Sequence, residues 1–286
     1  MIMNKTEELL GRVALVPGAC RPVGRAIAHH FASHGASLVL PVFDDWPESN
    51  QEMEREFRAL GCDFICPPCD LTNADQTRQL LAEVKSRYGA LHYLINNIER
   101  GGMPVVHGSY DLEVNRDQWQ LEFDTTLKAK WNLYQHSLGL LRGCKDGAVI
   151  NISSIAARVG RAGPASLLFN DGYSAANRGI SSFTKQWAKE LAPAVRVNEV
   201  MLGLIDGRHG SGTRGWSLLA ETQRQNLIGH ILAARTGEPE EVAEFIYFLA
   251  VKARYLTAAV VPFDGGYLSG GSSVGDMPAG ILEGSS

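Results

Sequence analysis

Short apolar runs alternate along the chain with longer stretches whose apolar residues recur at helical spacing. Val13-Ala14-Leu15-Val16 is the first such run, long enough for a strand buried on both faces. Beyond a turn of small residues, Ile27 and Phe31 keep helical spacing until Gly35, and positions 37–40 form the next apolar run. The same reading predicts helices over 47–60, 74–88, 117–141, 173–191, 216–234 and 238–251. It places further strands within 61–70 and over 91–96, 148–153, 195–200 and 260–263. Strands that alternate with helices throughout imply a parallel sheet. The expected fold is α/β: one Rossmann-type, doubly wound sheet of about seven strands flanked by helices.

The first turn, Pro17-Gly18-Ala19-Cys20 followed by Gly24, lies between a strand and a helix. There, backbone N–H groups and the positive end of a helix can converge on a pyrophosphate, as in dinucleotide-binding units. Composition adds exclusions. With 27 Lys and Arg against 31 Asp and Glu, the net charge is only -4, which draws the chain toward neither nucleic acid nor an anionic membrane. No apolar run reaches the ~20 residues of a membrane helix, and residues 1–10 carry Glu7-Glu8 where a secretory signal would be basic and apolar. A cytoplasmic protein is expected. Cys62, Cys66 and Cys69 have the spacing of an iron–sulfur loop, but they fall on the expected third strand, where alternate side chains point to opposite faces. No metal site is expected, and His29, His30 and His34 read as a solvated or packed helix face.

Further along, Asn151-Ile152-Ser153-Ser154, Tyr173-Ser174-Ala175-Ala176-Asn177, Arg196-Val197-Asn198 and Asp264-Gly265-Gly266-Tyr267 are recognisable motifs in a recognisable order. Over residues 8–268 the chain resembles the classical short-chain dehydrogenase/reductase family. That resemblance implies an NAD(P)-linked alcohol/carbonyl oxidoreductase. Its tyrosine acts as acid or base, aided by a serine on the substrate oxygen, a lysine one helical turn on and a relay asparagine. It carries these roles to Ser154 and Tyr173, and the cofactor contacts to Gly18, Arg21, Gly24, Asp70, Leu71 and Asn96.

The departures from the family pattern fall at these positions. The lysine position holds Asn177, an uncharged amide, and the relay asparagine position holds Thr126. Pro22 stands where a cofactor-loop glycine is usual, and would remove an N–H donor. Glu99 replaces a glycine and would repel phosphate. The interval from Ser154 to Tyr173 is lengthened by an insertion over 163–171, whose neighbours Arg158 and Arg161 could fold back toward the site. These changes imply degraded cofactor and catalytic motifs, with weak or absent binding of NAD or NADP. A non-catalytic or weakly catalytic subunit, assembling with an active relative, is the expectation they support. An active NAD(P)-dependent enzyme using Tyr173 and Ser154 with a rebuilt proton relay is the alternative, and a nucleotide-sensing regulator is a third.

The same resemblance implies assembly. In the family, the two long helices pair with their copies in dimers or tetramers. Trp119, Leu121, Phe123, Leu127, Trp131 and Tyr134 give the helix over 117–141 a large apolar surface. A homo-oligomer, or a hetero-oligomer with an active relative, is expected. Asp44, just beyond the second strand, would favour NAD by reaching a ribose hydroxyl. The segment 206–235 is expected to act as a lid, residues 1–7 as a tail and 269–286 as a disordered tail.

Overall fold

A computed structural model of the chain describes residues 7–43, 47–98, 113, 116–207, 219–272 and 274–275. Its first half runs β1 (Val13–Leu15), α1 (Pro22–Ser33), β2 (Ser37–Val39), α2 (Pro47–Ala59), β3 (Phe64–Ile65), α3 (Ala74–Tyr88) and β4 (Tyr93–Asn96). The second half runs α4 (Gln118–Glu122), α5 (Ala129–Arg142), β5 (Gly147–Ser154), α6 (Ala156–Val159), α7 (Asp171–Leu191), β6 (Val195–Leu202), α8 (Glu221–His230), α9 (Pro239–Tyr247) and β7 (Val260–Phe263). All seven strands pair in parallel in the order β3-β2-β1-β4-β5-β6-β7. This is the doubly wound topology that the alternation of strands and helices predicts. The order reverses between β1 and β4, and ligands bind at such a crossing, beyond the carboxyl ends of the strands.

The strands are apolar because both sheet faces are covered. One face packs Ala14, Ile95, Ile150 and Val200 under α1 and α9; the other packs Leu15, Leu94, Val149 and Val197 under α3, α5 and α7. Tyr134 of α5 is also buried there rather than exposed on an outer face. Its ring stacks on Trp187 of α7 at 3.9 Å and its hydroxyl donates to Glu190. Trp119 and Trp131 remain exposed on α4 and α5.

The helix expected over 117–141 is uninterrupted but not uniform. Between α4 and α5 the residues Phe123–Lys128 form a wide turn in which Ala129 N–H bonds back five residues, to the Asp124 carbonyl. Such π turns occur mostly at functional sites, and Thr126 lies within this one. The inserted segment between β5 and α7 is ordered too. It forms α6 and a short 3₁₀ turn over Pro164–Leu167, pinned where Ala165 N–H meets the Tyr267 hydroxyl. The five cysteines are free, and no cluster of metal-ligating side chains occurs among the described residues. Burial pushes the Cys66 thiol up to about 12 and the Cys69 thiol up to about 11. His29 bonds Glu56, while His30 and His34 stack on Tyr247. Among the described residues no helix is long and apolar enough to cross a membrane. The calls on Asp44, Glu99, residues 1–6 and most of the tail beyond 275 lie outside the described residues, as does the middle of the 206–235 segment.

Trp187 is sandwiched between Tyr134 and Phe183 with almost no exposure. Trp187→Ala should lower unfolding free energy by about 3–5 kcal/mol in urea titrations, with circular dichroism as the readout. A loss below ~1 kcal/mol would show that the α5–α7 contact carries little of the fold.

Candidate active site

The end of β5 and the start of α7 bring together the two residues on which the resemblance places the chemistry. β5 carries Ser154 at its last position, and α7 begins where Asn170 caps the helix by accepting the Tyr173 N–H at 2.6 Å. Ser154 Oγ also accepts the Ala156 N–H, which fixes the turn after the strand. The Tyr173 phenol is nearly buried, against Phe169, and is hydrogen-bonded by Ser154 and Asn177. Burial pushes its pKa upward. The Ser154 bond pulls it down, the Glu122 carboxylate pushes it up, and the Asn177 bond pulls it down again. Tyr173 belongs to a buried apolar cluster with Ile155, Phe169, Met201, Leu204, Leu219 and Leu227 of α8. That arrangement suits proton exchange with the oxygen of a largely apolar carbonyl compound.

Asn177 stands one turn beyond Tyr173, fully buried, with its amide donating to the Tyr173 carbonyl at 3.0 Å. It contributes no charge. No nearby cation supplies one either: Arg178, next to Asn177 on α7, Lys185, two turns further on, and Arg158 are exposed, and Arg161 spends its guanidinium on a surface pair with Asp171. The buried cation is Lys130 on α5, which the sequence reading passed over. Its ammonium donates to the Thr126 carbonyl at 3.0 Å and to the Ile98 carbonyl. Thr126 therefore contributes its main chain to the site, while its hydroxyl has no hydrogen-bond partner among the described residues. Glu199 of β6 is equally buried, where a small residue would serve a parallel strand. It accepts from Ser153 at 2.6 Å and from Ser181 at 3.1 Å. Burial pulls the Lys130 ammonium down to about 7, partly offset by Glu199; burial pushes Glu199 up, offset by its serine bonds and by Lys130. The signal was in the sequence: Lys130 beside Ala129, Trp131, Leu133 and Tyr134, and Glu199 between Val197 and Met201 on its strand face.

The nucleotide-binding positions lie at the β1–β4 crossing. Gly18 has φ +70°, and a Cβ there would come within 2.7 Å of the Asn97 carbonyl oxygen; one on Gly24 would come within 2.3 Å of the Gly18 carbonyl oxygen. Both glycines are thus required by close packing of the turn against α1 and the end of β4. Arg21 is the N-cap of α1, and the first turn of that twelve-residue helix carries no acidic side chain. The helix start, with the Arg21 guanidinium, fits an anionic diphosphate. Pro22 occupies the first helical position, where its fixed φ suits the helix start, although it leaves one N–H fewer to face an anion. Asp70 accepts from the Thr72 N–H and hydroxyl, and the Leu71 carbonyl accepts from Asn132, so the rim beside β3 is rigidly held. Asn96 is fully buried and its amide bridges to Asn151, so its side chain ties β4 to β5. The neighbouring Asn97 bonds the Pro17 carbonyl and walls the glycine turn. It belongs with the cradle and was missed.

Comparison with known proteins agrees with this geometry. A family model described as enoyl-(acyl carrier protein) reductase matches residues 18–268. The 3-oxoacyl-[acyl-carrier-protein] reductase FabG of Thermotoga maritima is 29% identical over 260 residues, covering 90% of this chain and 98% of that protein. The 3-oxoacyl-[acyl-carrier-protein] reductase of a Synechocystis strain is 31% identical over 264 residues, covering 90% and 97%. Among solved structures, a Serratia marcescens short-chain dehydrogenase/reductase mutant superposes with a TM-score of 0.75 at 25% identity, covering 91% of this chain and 99% of that one. A blue fluorescent protein from a metagenomic library, solved with NADPH, shares the fold with a TM-score of 0.74 at 24% identity over 91% and 99%.

The buried pair sets a pH signature. Lys130 binds a proton less tightly folded than unfolded, so the unfolded chain holds the extra proton between its folded value and ~10.4, and stability rises with pH there. Glu199, raised in the fold, contributes in the opposite sense: its share falls as pH climbs above the ordinary carboxylate range. The stability of wild type relative to Lys130→Met should rise between about pH 7 and 9, by at most ~1.4 kcal/mol per pH unit, the one-proton limit. Denaturant titrations in which that difference stays flat would show that Lys130 is not held against its charge.

Proposed function

The chain belongs to the short-chain dehydrogenase/reductase family, and on that premise we propose that it is an active NAD(P)-linked oxidoreductase of a carbonyl/alcohol pair. The observation that carries the reading is the Tyr173 phenol hydrogen-bonded to Ser154 within a buried apolar cluster, in a fold whose glycine turn and first helix start fit a dinucleotide. The expectation of a non-catalytic subunit rested on Pro22, Glu99, Asn177 and Thr126. Pro22 sits at the first helical position and keeps the helix start with one N–H fewer, Glu99 is outside the described residues, and Asn177 and Thr126 are buried, the Asn177 amide on the Tyr173 carbonyl and the Thr126 carbonyl on Lys130. Weak or absent nucleotide binding has no support in this geometry.

Gly18, Arg21, Gly24 and Asn97 would hold the nucleotide, and its nicotinamide, when bound, supplies or accepts the hydride. The protein's own work concerns the oxygen. Ser154 holds the substrate oxygen; Tyr173 gives its proton to that oxygen in reduction and takes it back in oxidation. The buried cluster of Phe169, Met201, Leu219 and Leu227 keeps water from the phenol. Curated relatives are named for reduction of 3-oxoacyl carriers, and a 3-oxoacyl thioester is accordingly the first substrate to try. The exposed Trp119 and Trp131 support assembly of two copies along α4 and α5.

With NADPH and acetoacetyl-coenzyme A as probes, wild type should consume NADPH. Tyr173→Phe should lose roughly 10²–10⁴-fold in kcat, with its melting temperature kept. Equal turnover by the two proteins would remove the phenol from the mechanism and the proposal with it.

A further inference from the structure

Protonation of a substrate oxygen leaves Tyr173 as a phenolate, buried and with the Glu122 carboxylate nearby. A negative charge in that position needs a proton or a cation within reach. On α7, Tyr173, Asn177 and Ser181 follow one another at single-turn spacing along one face. Ser181 bonds Glu199, and Ser153, adjacent to Ser154, bonds the same carboxylate oxygen. The opposite wall is the wide turn between α4 and α5, where Lys130 reaches back to the Thr126 carbonyl and across to Ile98. Among the described residues, Lys130 is the one buried Lys or Arg. Three buried polar atoms of this seam, Asn177 Oδ1, Thr126 Oγ1 and Glu199 Oε2, have no hydrogen-bond partner among the described residues. Buried polar atoms left over in this way are ordinarily satisfied by internal water.

We propose that Lys130, with Glu199 as its counter-ion, is the proton store of Tyr173, linked to it by water held on Asn177 and Thr126. The inference rests on the catalytic reading of Tyr173 given above. The step balances. One N–H bond of the Lys130 ammonium breaks, its proton passes along the water to the phenolate, and the Tyr173 O–H bond re-forms. The amine is left neutral and regains a proton from solvent before the next turnover. Such a store must lose its proton near neutrality, and burial brings the Lys130 ammonium down to about 7. Glu199 of β6 is the charge that acts on Lys130, while Tyr173 of α7 and Glu122 of α4 are buried ionisable groups that act on one another. Tyr134, also on α5, spends its hydroxyl on Glu190, and Tyr93 of β4 lies in the core on the other sheet face. Lys130 is a positioning residue in this scheme, acting on substrate only through Tyr173.

The test needs no substrate in its first arm. In protein labelled with ¹³C at lysine Cε, one resonance should titrate near pH 7, vanish in Lys130→Met, and shift by about half a pH unit or more in Tyr173→Phe. All lysines titrating above about pH 9, or a Lys130 midpoint unmoved by Tyr173→Phe, would overturn the proposal. In the second arm, with NADPH and acetoacetyl-coenzyme A, Lys130→Met should lower kcat about 10–100-fold, and both KM values should change less than about threefold. Lys130→Met combined with Asn177→Lys should regain most of that loss by returning a cation to the phenol from α7. An unchanged kcat in Lys130→Met would also overturn it. Should Lys130→Met fail to fold, Glu199→Gln takes its place: the Lys130 midpoint and the limb of the rate profile should move together, and a limb that stays put contradicts the link. A wild type that turns over nothing sinks the function proposed above, and the Tyr173→Phe shift in the first arm still decides the link between the two side chains.

Discussion

The candidate site depends on a polar seam that is sealed inside the sheet–helix interface. Asn96 donates to Asn151, Asn151 to Thr184, and Ser153 and Ser181 share the Glu199 carboxylate, all of them buried but Ser181, which is half-buried. A buried polar group without its partner costs about 1–3 kcal/mol, so these bonds specify position more than they add stability. They lock α7 onto β5 and β6 in one register. With that register fixed, Tyr173 can only meet Ser154, and Asn177 can only fall beneath it. The apolar stacking of Tyr134, Trp187 and Phe183 holds the far end of α7, and the seam sets its near end.

Seen from this seam, Lys130 and Glu199 are a compensated intrusion of charge into a core. Either alone would be an uncompensated buried charge, which proteins avoid at a cost of several kcal/mol. Together, and with two carbonyls and two serines supplying hydrogen bonds, they can be tolerated. The wide turn over Phe123–Lys128 serves the same end. By pairing across five residues it alters the carbonyl pattern of the helix, and the Thr126 carbonyl faces the lysine. On the reading proposed above, the cation missing from α7 is supplied from α5 instead.

Much of this was legible in the sequence. Apolar runs bounded by glycine gave the strands because a parallel sheet covered on both faces needs continuous apolar residues, and 260–263 matches β7 residue for residue. The helix over 74–88 is likewise recovered, closed by Gly89 at φ +70°. Ser154 and Tyr173 were found from their motifs, and the structure joins them. What the sequence misled about was the meaning of single substitutions. Pro22 reads only as a lost donor until its place at the first helical position, where its fixed φ suits the helix start, is known. Asn177 reads as a lost charge until Lys130 is found on a different helix, 47 residues earlier in the chain. Compensation across elements depends on tertiary distance, and residue spacing along one element cannot reveal it. Tyr134, counted in the apolar surface of the long helix expected to pair with its copy, is buried inside the fold against Trp187.

The central claim is that the nucleotide cradle at the β1–β4 crossing is intact, and direct titration tests it without any assumption about substrate. Isothermal calorimetry of NADPH and NADH into the purified wild-type chain should give saturable binding of at least one nucleotide, near one per chain, with Kd at or below roughly 100 μM. No heat of binding for either nucleotide up to about millimolar concentration, in a protein shown folded by circular dichroism, would contradict the account.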